Sequence, residues 1–522
     1  MSRAAVCLVA QLVVCGAGLI LAAASATAGE RLSPQIRDVI DGPRFQHARW
    51  GLLVADRRTG EVLYERDADK LFPPASTTKL YSVSAALDAL GSNFCFETPV
   101  FRRGTVDAAG VLNGDLILVA VGDLTLGGRT TKANEIEYTK ADHTYANPAG
   151  IAVLTAGDPL AGLNSLARQV AATGVREVRG QVIIDARAFA PASGTGSGPS
   201  RLTPIMVNDN LIDFTITPAA KGSPAKVDWR PKSAALGVDA QVETIAPGGQ
   251  STIDCRPAGD DRVVVRGRIA ADRPQFVCVS EVADPARWAR TLFIEALARA
   301  GVRVSASLYD FNPDSLLPKA GDLHGLVKVA MLKSPPFAEN ARLILKVSHN
   351  LHASTLPLLI AMRRGKRELT DGMHFERDFF RRAGLDPGSL SFGGGAGGAP
   401  SDYTTPRMTV TLLRYLSTRP DFSAFERALP ILGVDGTLAD DVPKTSPVWG
   451  KVHAKTGTLL WENLLDDHFL VTSKALAGYL TTKSDRQLVF SFVVTGVAID
   501  KAAETKTIAK VLAHLCEIVQ AD

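Results

Sequence analysis

Phe72-Pro73-Pro74-Ala75-Ser76-Thr77-Thr78-Lys79 leads into residues 80–90, where apolar side chains recur at helical spacing until Gly91 stops the run. Ser76 therefore stands at the start of a mostly apolar helix, with Lys79 one turn on and on the same face. A serine hydroxyl is a poor nucleophile near neutral pH. Lys79 can take its proton, provided the lysine is neutral. Burial lowers a lysine pKa, and a second cation nearby lowers it further. Such a pair arises by chance in most chains of this size. Its bland reading is a serine that caps a helix and a lysine at the surface.

Two later strings supply what the first lacks. Ser348-His349-Asn350 reads as S-x-N and falls within residues 340–362, a segment with a helical pattern. Ser348 is suited to passing a proton to a leaving group, and Asn350 to holding a substrate amide. A polar break in a helix is the bland alternative. Lys455-Thr456-Gly457 reads as K-T-G. On a strand it offers a cation and a hydroxyl to a terminal carboxylate, and Lys455 can be the second cation that Lys79 needs. Gly457 permits close backbone approach. The N–H of Thr458, with that of Ser76, can form an oxyanion hole. A strand end with a turn is the bland reading here. The three strings in this order form the signature of serine acyl-transfer enzymes that attack D-alanyl peptides or β-lactams.

Around these motifs the texture changes twice. Residues 51–56 and 61–65 read as strands joined by a turn. Residues 96–315 are rich in Gly, Pro and Val and carry short strand-like runs at 116–121, 180–185, 211–217 and 262–269. Residues 164–174 look helical. Residues 285–301 do too, with Asp284 as cap, Pro285 at the first position and Gly301 as stop. This block reads as inserted subdomains outside the catalytic unit. Beyond it come helical patterns at 373–383 and 409–418, the glycine-rich loop 393–398, strands at 475–481 and 487–495, and a helix at 508–519. The expected division is residues 1–28 as a signal peptide, 29–95 and 316–522 as two parts of one catalytic domain, and 96–315 as the insert. The leader carries Arg3, a long apolar run and Ala26-Thr27-Ala28 at the cleavage positions, which implies export; an uncleaved anchor is the alternative. In an oxidising compartment Cys255 and Cys278 are the best candidate disulfide pair, although spacing alone does not fix connectivity. A formal charge of +4 with scattered basic residues gives nucleic-acid binding little support. No phosphate loop, zinc spacing or dinucleotide fingerprint is present, so neither cofactor nor metal is expected.

The chain resembles the penicillin-binding protein 4 family of serine D-Ala-D-Ala carboxypeptidases and endopeptidases. Besides the three motifs, VAVGDLTL at 119–126, VNDNLIDFTITP at 207–218, GVDGTL at 433–438, AKTGTL at 454–459 and AGYLTT at 477–482 carry the likeness. The wide gap between Ser76 and Ser348 fits that family's inserted domains. The resemblance implies an α/β (α+β) fold: a β-lactamase/transpeptidase-like catalytic domain of antiparallel sheet and helices, with a large mainly-β insertion of one or two subdomains. It implies Ser76 as acylated nucleophile, Lys79 as general base, and Ser348, Asn350, Lys455, Thr456, Gly457 and Thr458 as the rest of the site. Peptidoglycan stem peptides would be substrates and β-lactams inhibitors. Location would be the periplasm or the outer face of the cytoplasmic membrane, with membrane association at most peripheral. A β-lactamase, or a non-catalytic wall-binding scaffold of the same fold, is the alternative. Three departures stand out. Gly394-Gly395-Ala396-Gly397 replaces the usual Asp-Gly-Ser-Gly, His349 occupies the middle of S-x-N where Asp is common, and residues 460–474 form a longer link after K-T-G.

Overall fold

The computed structural model describes residues 30–147, 151–259, 261–500 and 506–521, so the expected leader lies outside the described residues. The catalytic unit comprises β1 (Arg49–Asp56), β2 (Val62–Arg66), α1 (Thr78–Leu90), α2 (Phe337–Val347), α3 (Asn350–Arg363), β3 (Val452–Asn463), β4 (His468–Thr481), β5 (Gln487–Thr495), β6 (Val497–Asp500) and α4 (Lys506–Ala521). The strands form one antiparallel sheet in the order β3-β4-β5-β1-β2, with β6 also paired to β4. The N-terminal strand β1 thus sits between β5 and β2, which builds one sheet from both ends of the chain.

The apolar run of β1 alternates little because both faces are covered. Trp50, Leu52 and Val54 pack with Leu512 and Cys516 of α4. Leu53 and Ala55 face the other way, towards Leu80, Val83 and Leu87 of α1. Residues 78–87 of α1 are all buried, so the helix runs through the core. Full burial of each large apolar side chain there contributes about 1.5–3 kcal/mol.

The insert has two parts. One is a six-stranded mixed sheet covered by the helices Ala161–Ala172 and Pro285–Arg299. Asp284 caps the second helix, its carboxylate accepting from the N–H groups of Ala286 and Arg287. The other part, residues 211–281, consists of two three-stranded sheets around a small core that includes Phe214, Val265 and Phe276. There Cys255 and Cys278 form a disulfide between the strands Thr252–Pro257 and Phe276–Glu281, with Cα atoms 6.3 Å apart.

Three segments differ from expectation. Strand Val327–Lys333, assigned from sequence to the catalytic part, pairs with Glu97–Val106 and completes the insert's six-stranded sheet. Residues 340–362 are not one helix: α2 ends at Val347, Ser348 adopts the left-handed conformation (φ 62°, ψ 39°), and α3 starts at Asn350. Residues 460–474 do not make a loose link. They extend the β3–β4 hairpin as far as the Asn463–His468 pair, and β6 braces this extension from the side.

Candidate active site

Ser76 lies in a 3₁₀ turn, Ala75–Thr77, that feeds directly into α1. Ala75 before it has φ 49°, a conformation that a residue bearing a Cβ adopts only when its surroundings over-determine it. The half-buried Ser76 hydroxyl accepts a hydrogen bond from Lys79 Nζ at 2.9 Å. Lys79 is fully buried and also reaches Asn350 Oδ1 at 2.7 Å and the Ala396 carbonyl at 2.8 Å. Burial, and then the charge on Lys455, hold its pKa well below that of an ordinary lysine, against the opposing pull of the Asp402 carboxylate. The neutral lysine that the chemistry requires is therefore favoured by the fold itself.

The break between α2 and α3 places S-x-N at a corner. Its left-handed backbone lets Ser348 Oγ accept from Lys455 Nζ at 2.9 Å. Lys455 also donates to its neighbour's carbonyl, Thr456 O, at 2.8 Å. Lys455 is fully buried, and burial with the nearby Lys474 ammonium lowers its pKa to about 7. Two ammonium groups that both lose charge readily thus flank the Ser76–Ser348 pair.

Glycines allow the three motifs to meet. A Cβ on Gly457 would lie 2.5 Å from the Pro74 carbonyl and 3.3 Å from Ser76 N, so only glycine lets β3 press against the turn that carries the serine. Gly397 has φ 87°, and a Cβ there would lie 1.9 Å from the Ala75 carbonyl. Its loop supplies backbone atoms to α1: the Ala396 carbonyl accepts from Lys79, and the Gly395 carbonyl from Ser82 Oγ at 2.8 Å. Those contacts do not depend on side chains, which explains how Gly394-Gly395-Ala396-Gly397 can stand in place of a more polar string. The buried Asp402 pins the loop by accepting from Gly393 N at 2.7 Å and Ala399 N at 2.8 Å.

The insert is not outside this site. Ser197 Oγ accepts from Asn350 Nδ2 at 3.0 Å, and the Tyr145 hydroxyl donates to the Ser348 carbonyl. A cleft of about 410 Å³ opens over Ser76, Ser348, Thr456 and Thr458, walled by Tyr145 of the insert and Lys474 of β4. Lys140 of the insert pairs with Asp440 of the catalytic unit, both largely exposed, at one edge of this cleft. Sequence reasoning missed Tyr145, Ser197, Asp402 and Lys474, which sit in no recognisable motif. The GVDGTL string contributes as well: Thr437 Oγ1 meets Thr456 Oγ1 at 3.0 Å, and Asp435 accepts from the buried Lys346 at 2.6 Å.

Beneath the S-x-N corner lies a buried polar network. Arg129 donates to Asp142 at 2.7 Å and to Asp209 at 2.6 Å, and His143 bridges Asp209 and Asp213 at 2.7 and 2.6 Å. Burial opposes a charge on His143, but the carboxylates of Asp213 and Asp142 outweigh it and raise its pKa to about 10. Asp213 is further held by Arg230 at 2.9 Å, and Asp209 Oδ1 by His352 at 2.6 Å. Among the described residues, Asp209 with His349 and His352, and Asp142 with His143 and Asp209, cluster closely enough to raise the question of a metal. Three carboxylates, however, face two arginines and a protonated His143. His349 Nδ1 accepts the His352 N–H at 3.3 Å, which leaves the proton on Nε2, 3.6 Å from Asp142 and 3.7 Å from Asp209. The arrangement reads as a balanced charge network that seats His349, and with it Ser348 and Asn350, on the insert.

The family model described as the D-Ala-D-Ala carboxypeptidase 3 (S13) family matches residues 32–517. A D-alanyl-D-alanine carboxypeptidase of Actinomadura sp. (strain R39) is 28% identical over 503 residues, covering 92% of this chain and 84% of that protein. The D-alanyl-D-alanine carboxypeptidase DacB of Haemophilus influenzae is 22% identical over 478 residues, covering 87% of each. The crystal structure of penicillin-binding protein 4 from Haemophilus influenzae aligns with a TM-score of 0.69 at 18% identity, over 94% of this chain and 100% of that one, a likeness that speaks for the fold. A match that runs almost from end to end of the described chain, and takes in all three motifs, makes this protein a member of the D-Ala-D-Ala carboxypeptidase 3 (S13) family.

Proposed function

We propose that this chain is a serine-type D-alanyl-D-alanine carboxypeptidase, with endopeptidase action on cross-links, that works on peptidoglycan stem peptides outside the cytoplasmic membrane. The observation that carries the reading is the bond between Ser76 Oγ and a fully buried Lys79 whose pKa is held down. Lys79 takes the Ser76 proton as Oγ attacks the carbonyl of the penultimate D-alanine. The N–H groups of Ser76 and Thr458 receive the oxyanion. Collapse of the tetrahedral species breaks the peptide bond. The departing amine takes that proton from Lys79 by way of the Ser348 hydroxyl, which Lys455 holds, and leaves as D-alanine or, from a cross-link, as the acceptor strand, so that Lys79 is neutral again. Water then attacks the ester, with the neutral Lys79 as base, and restores Ser76. Asn350 aligns the substrate amide while its oxygen holds Lys79. β-Lactams fit the same path, and their ester on Ser76 is the inhibited state. The complex of the Haemophilus influenzae penicillin-binding protein 4 with a β-lactam supports this by analogy. Export rests on the leader-like sequence, and no helix among the described residues is long and apolar enough to cross a membrane.

The test is release of D-alanine from a synthetic stem pentapeptide, followed by mass spectrometry, for wild type and Ser76→Ala. Stoichiometric release by wild type and none by the variant is expected. Equal release by both would overturn the reading.

A further inference from the structure

A cation that pairs with a free carboxylate must face it, and the K-T-G lysine does not line the cleft. Side chains alternate along a strand, so Thr456 and Thr458 share one face of β3 while Lys455 and Gly457 point to the other. Lys455 is fully buried, its ammonium engaged by Ser348 Oγ and the Thr456 carbonyl, and it does not line the cleft. Lys79 is equally committed, to Ser76, Asn350 and Ala396. The lysine that shares the threonine face is Lys474. It is the cross-strand partner of Thr458 on β4, and paired residues present their side chains to the same face. Its Nζ donates to Thr458 Oγ1 at 2.9 Å, and it lines the cleft together with Ser76, Thr456 and Thr458. Only 7% of Lys474 is exposed, so its ammonium is fixed and largely shielded from bulk water. Its charge is felt by Lys455 through the strand and by Asp441 from the loop after residues 436–438, while Lys140, Asp440 and Lys506 line the same cleft.

We propose that Lys474, with the hydroxyls of Thr456 and Thr458, is the subsite for the substrate's C-terminal carboxylate. This rests on the peptidase reading above and moves the charge contact from Lys455 to a residue outside every motif. Lys455 is then left to the proton path through Ser348. An ammonium and two hydroxyls that line one cleft suit a carboxylate, whose oxygens accept a charge-assisted hydrogen bond from the ammonium and further bonds from the hydroxyls.

The experiment compares one stem peptide in two forms, ending in free D-Ala-D-Ala or in its C-terminal amide. Steady-state kcat/KM is measured for wild type, Lys474→Met, Lys474→Arg and Lys455→Met. NMR titration then gives Kd for both peptides in Ser76→Ala and Ser76→Ala/Lys474→Met, where nothing is turned over. Lys474→Met should cut the preference for the free acid about 30-fold, in kcat/KM and in Kd alike, a loss of the size expected for one charged hydrogen bond. Lys474→Arg should keep most of that preference, and Lys455→Met should lower turnover of both peptides alike. The proposal is overturned if Lys474→Met lowers both peptides equally, or if the preference disappears in Lys455→Met and survives in Lys474→Met. The titrations report on the carboxylate subsite even if Ser76 proves not to be the nucleophile, so the two readings fail separately.

Discussion

Replacing Gly457 by alanine tests the assembly of the site with a single methyl group. The glycine does not have a positive φ, so alanine fits the backbone and the cost is purely one of space. The new Cβ would stand 2.5 Å from the Pro74 carbonyl, about 0.9 Å short of ordinary van der Waals contact. The Pro74 carbonyl belongs to the turn that sets Ser76, and Ser76 N would be 3.3 Å from the same methyl. Relief comes if β3 backs away from the turn by most of an ångström. That movement separates the N–H of Thr458 from the N–H of Ser76, and it shifts Lys455 relative to Ser348. Misplacement on the order of 1 Å costs roughly 10²-fold in rate, which corresponds to about 2.7 kcal/mol in the barrier. Overpacking alone would lower stability by about 1–3 kcal/mol. The assay is the second-order rate of acylation by a fluorescent penicillin, with a thermal melt alongside. A folded Gly457→Ala protein acylated about a hundredfold more slowly is the expected outcome. A rate within threefold of wild type would refute the argument that contact between β3 and the serine turn forms the site.

Three further perturbations separate other parts of the account. Lys455→Gln removes the positive charge that helps hold the Lys79 pKa down; because the proposed acylation needs neutral Lys79, the acidic limb of the kcat/KM–pH profile should move to higher pH, and an unmoved or lowered limb would contradict the coupling. Tyr145→Phe deprives the Ser348 carbonyl of its donor from the insert; a buried acceptor left short costs about 1–3 kcal/mol, so acylation should drop about tenfold with a modest fall in Tm, whereas an unchanged rate would mean that the insert does not steady the S-x-N corner. Cys255→Ala/Cys278→Ala opens a cross-link that spans 23 residues; the chain-entropy estimate is about 3 kcal/mol, read as earlier unfolding of the 211–281 part, and an unchanged melt would show that the bridge contributes nothing there.

Much of the catalytic unit was legible because its chemistry needs particular residues at particular places. Ser76 and Lys79 lie on one turn of a helix, Gly457 lies where two backbones touch, and the strands on either side of the sheet carry continuous apolar runs. The S-x-N corner was read as continuous helix, since its turn is made by Ser348 in a left-handed conformation and not by a glycine or proline that would have marked it. Residues 460–474 looked like a link because polar Glu462, Asp466 and Asp467 interrupt the pattern; the extended hairpin exposes both faces near its tip, and Leu464 and Leu465 there are 85% and 94% exposed. Tyr145, Ser197 and Asp402 reach the site by tertiary packing over more than 100 residues of chain or from a loop without a motif. No local pattern marks them. Lys474 was hidden for a related reason: the cross-strand register that sets it opposite Thr458 exists only once β3 and β4 are paired.

The most direct measurement is peptide mapping of the intact protein after penicillin treatment. Mass spectrometry should find one adduct, of the mass of the opened drug, on the peptide that contains Ser76, and none in Ser76→Ala. An adduct on another residue, or an unmodified wild-type protein under conditions where it is folded, would contradict the central claim that Ser76 is the acylated nucleophile.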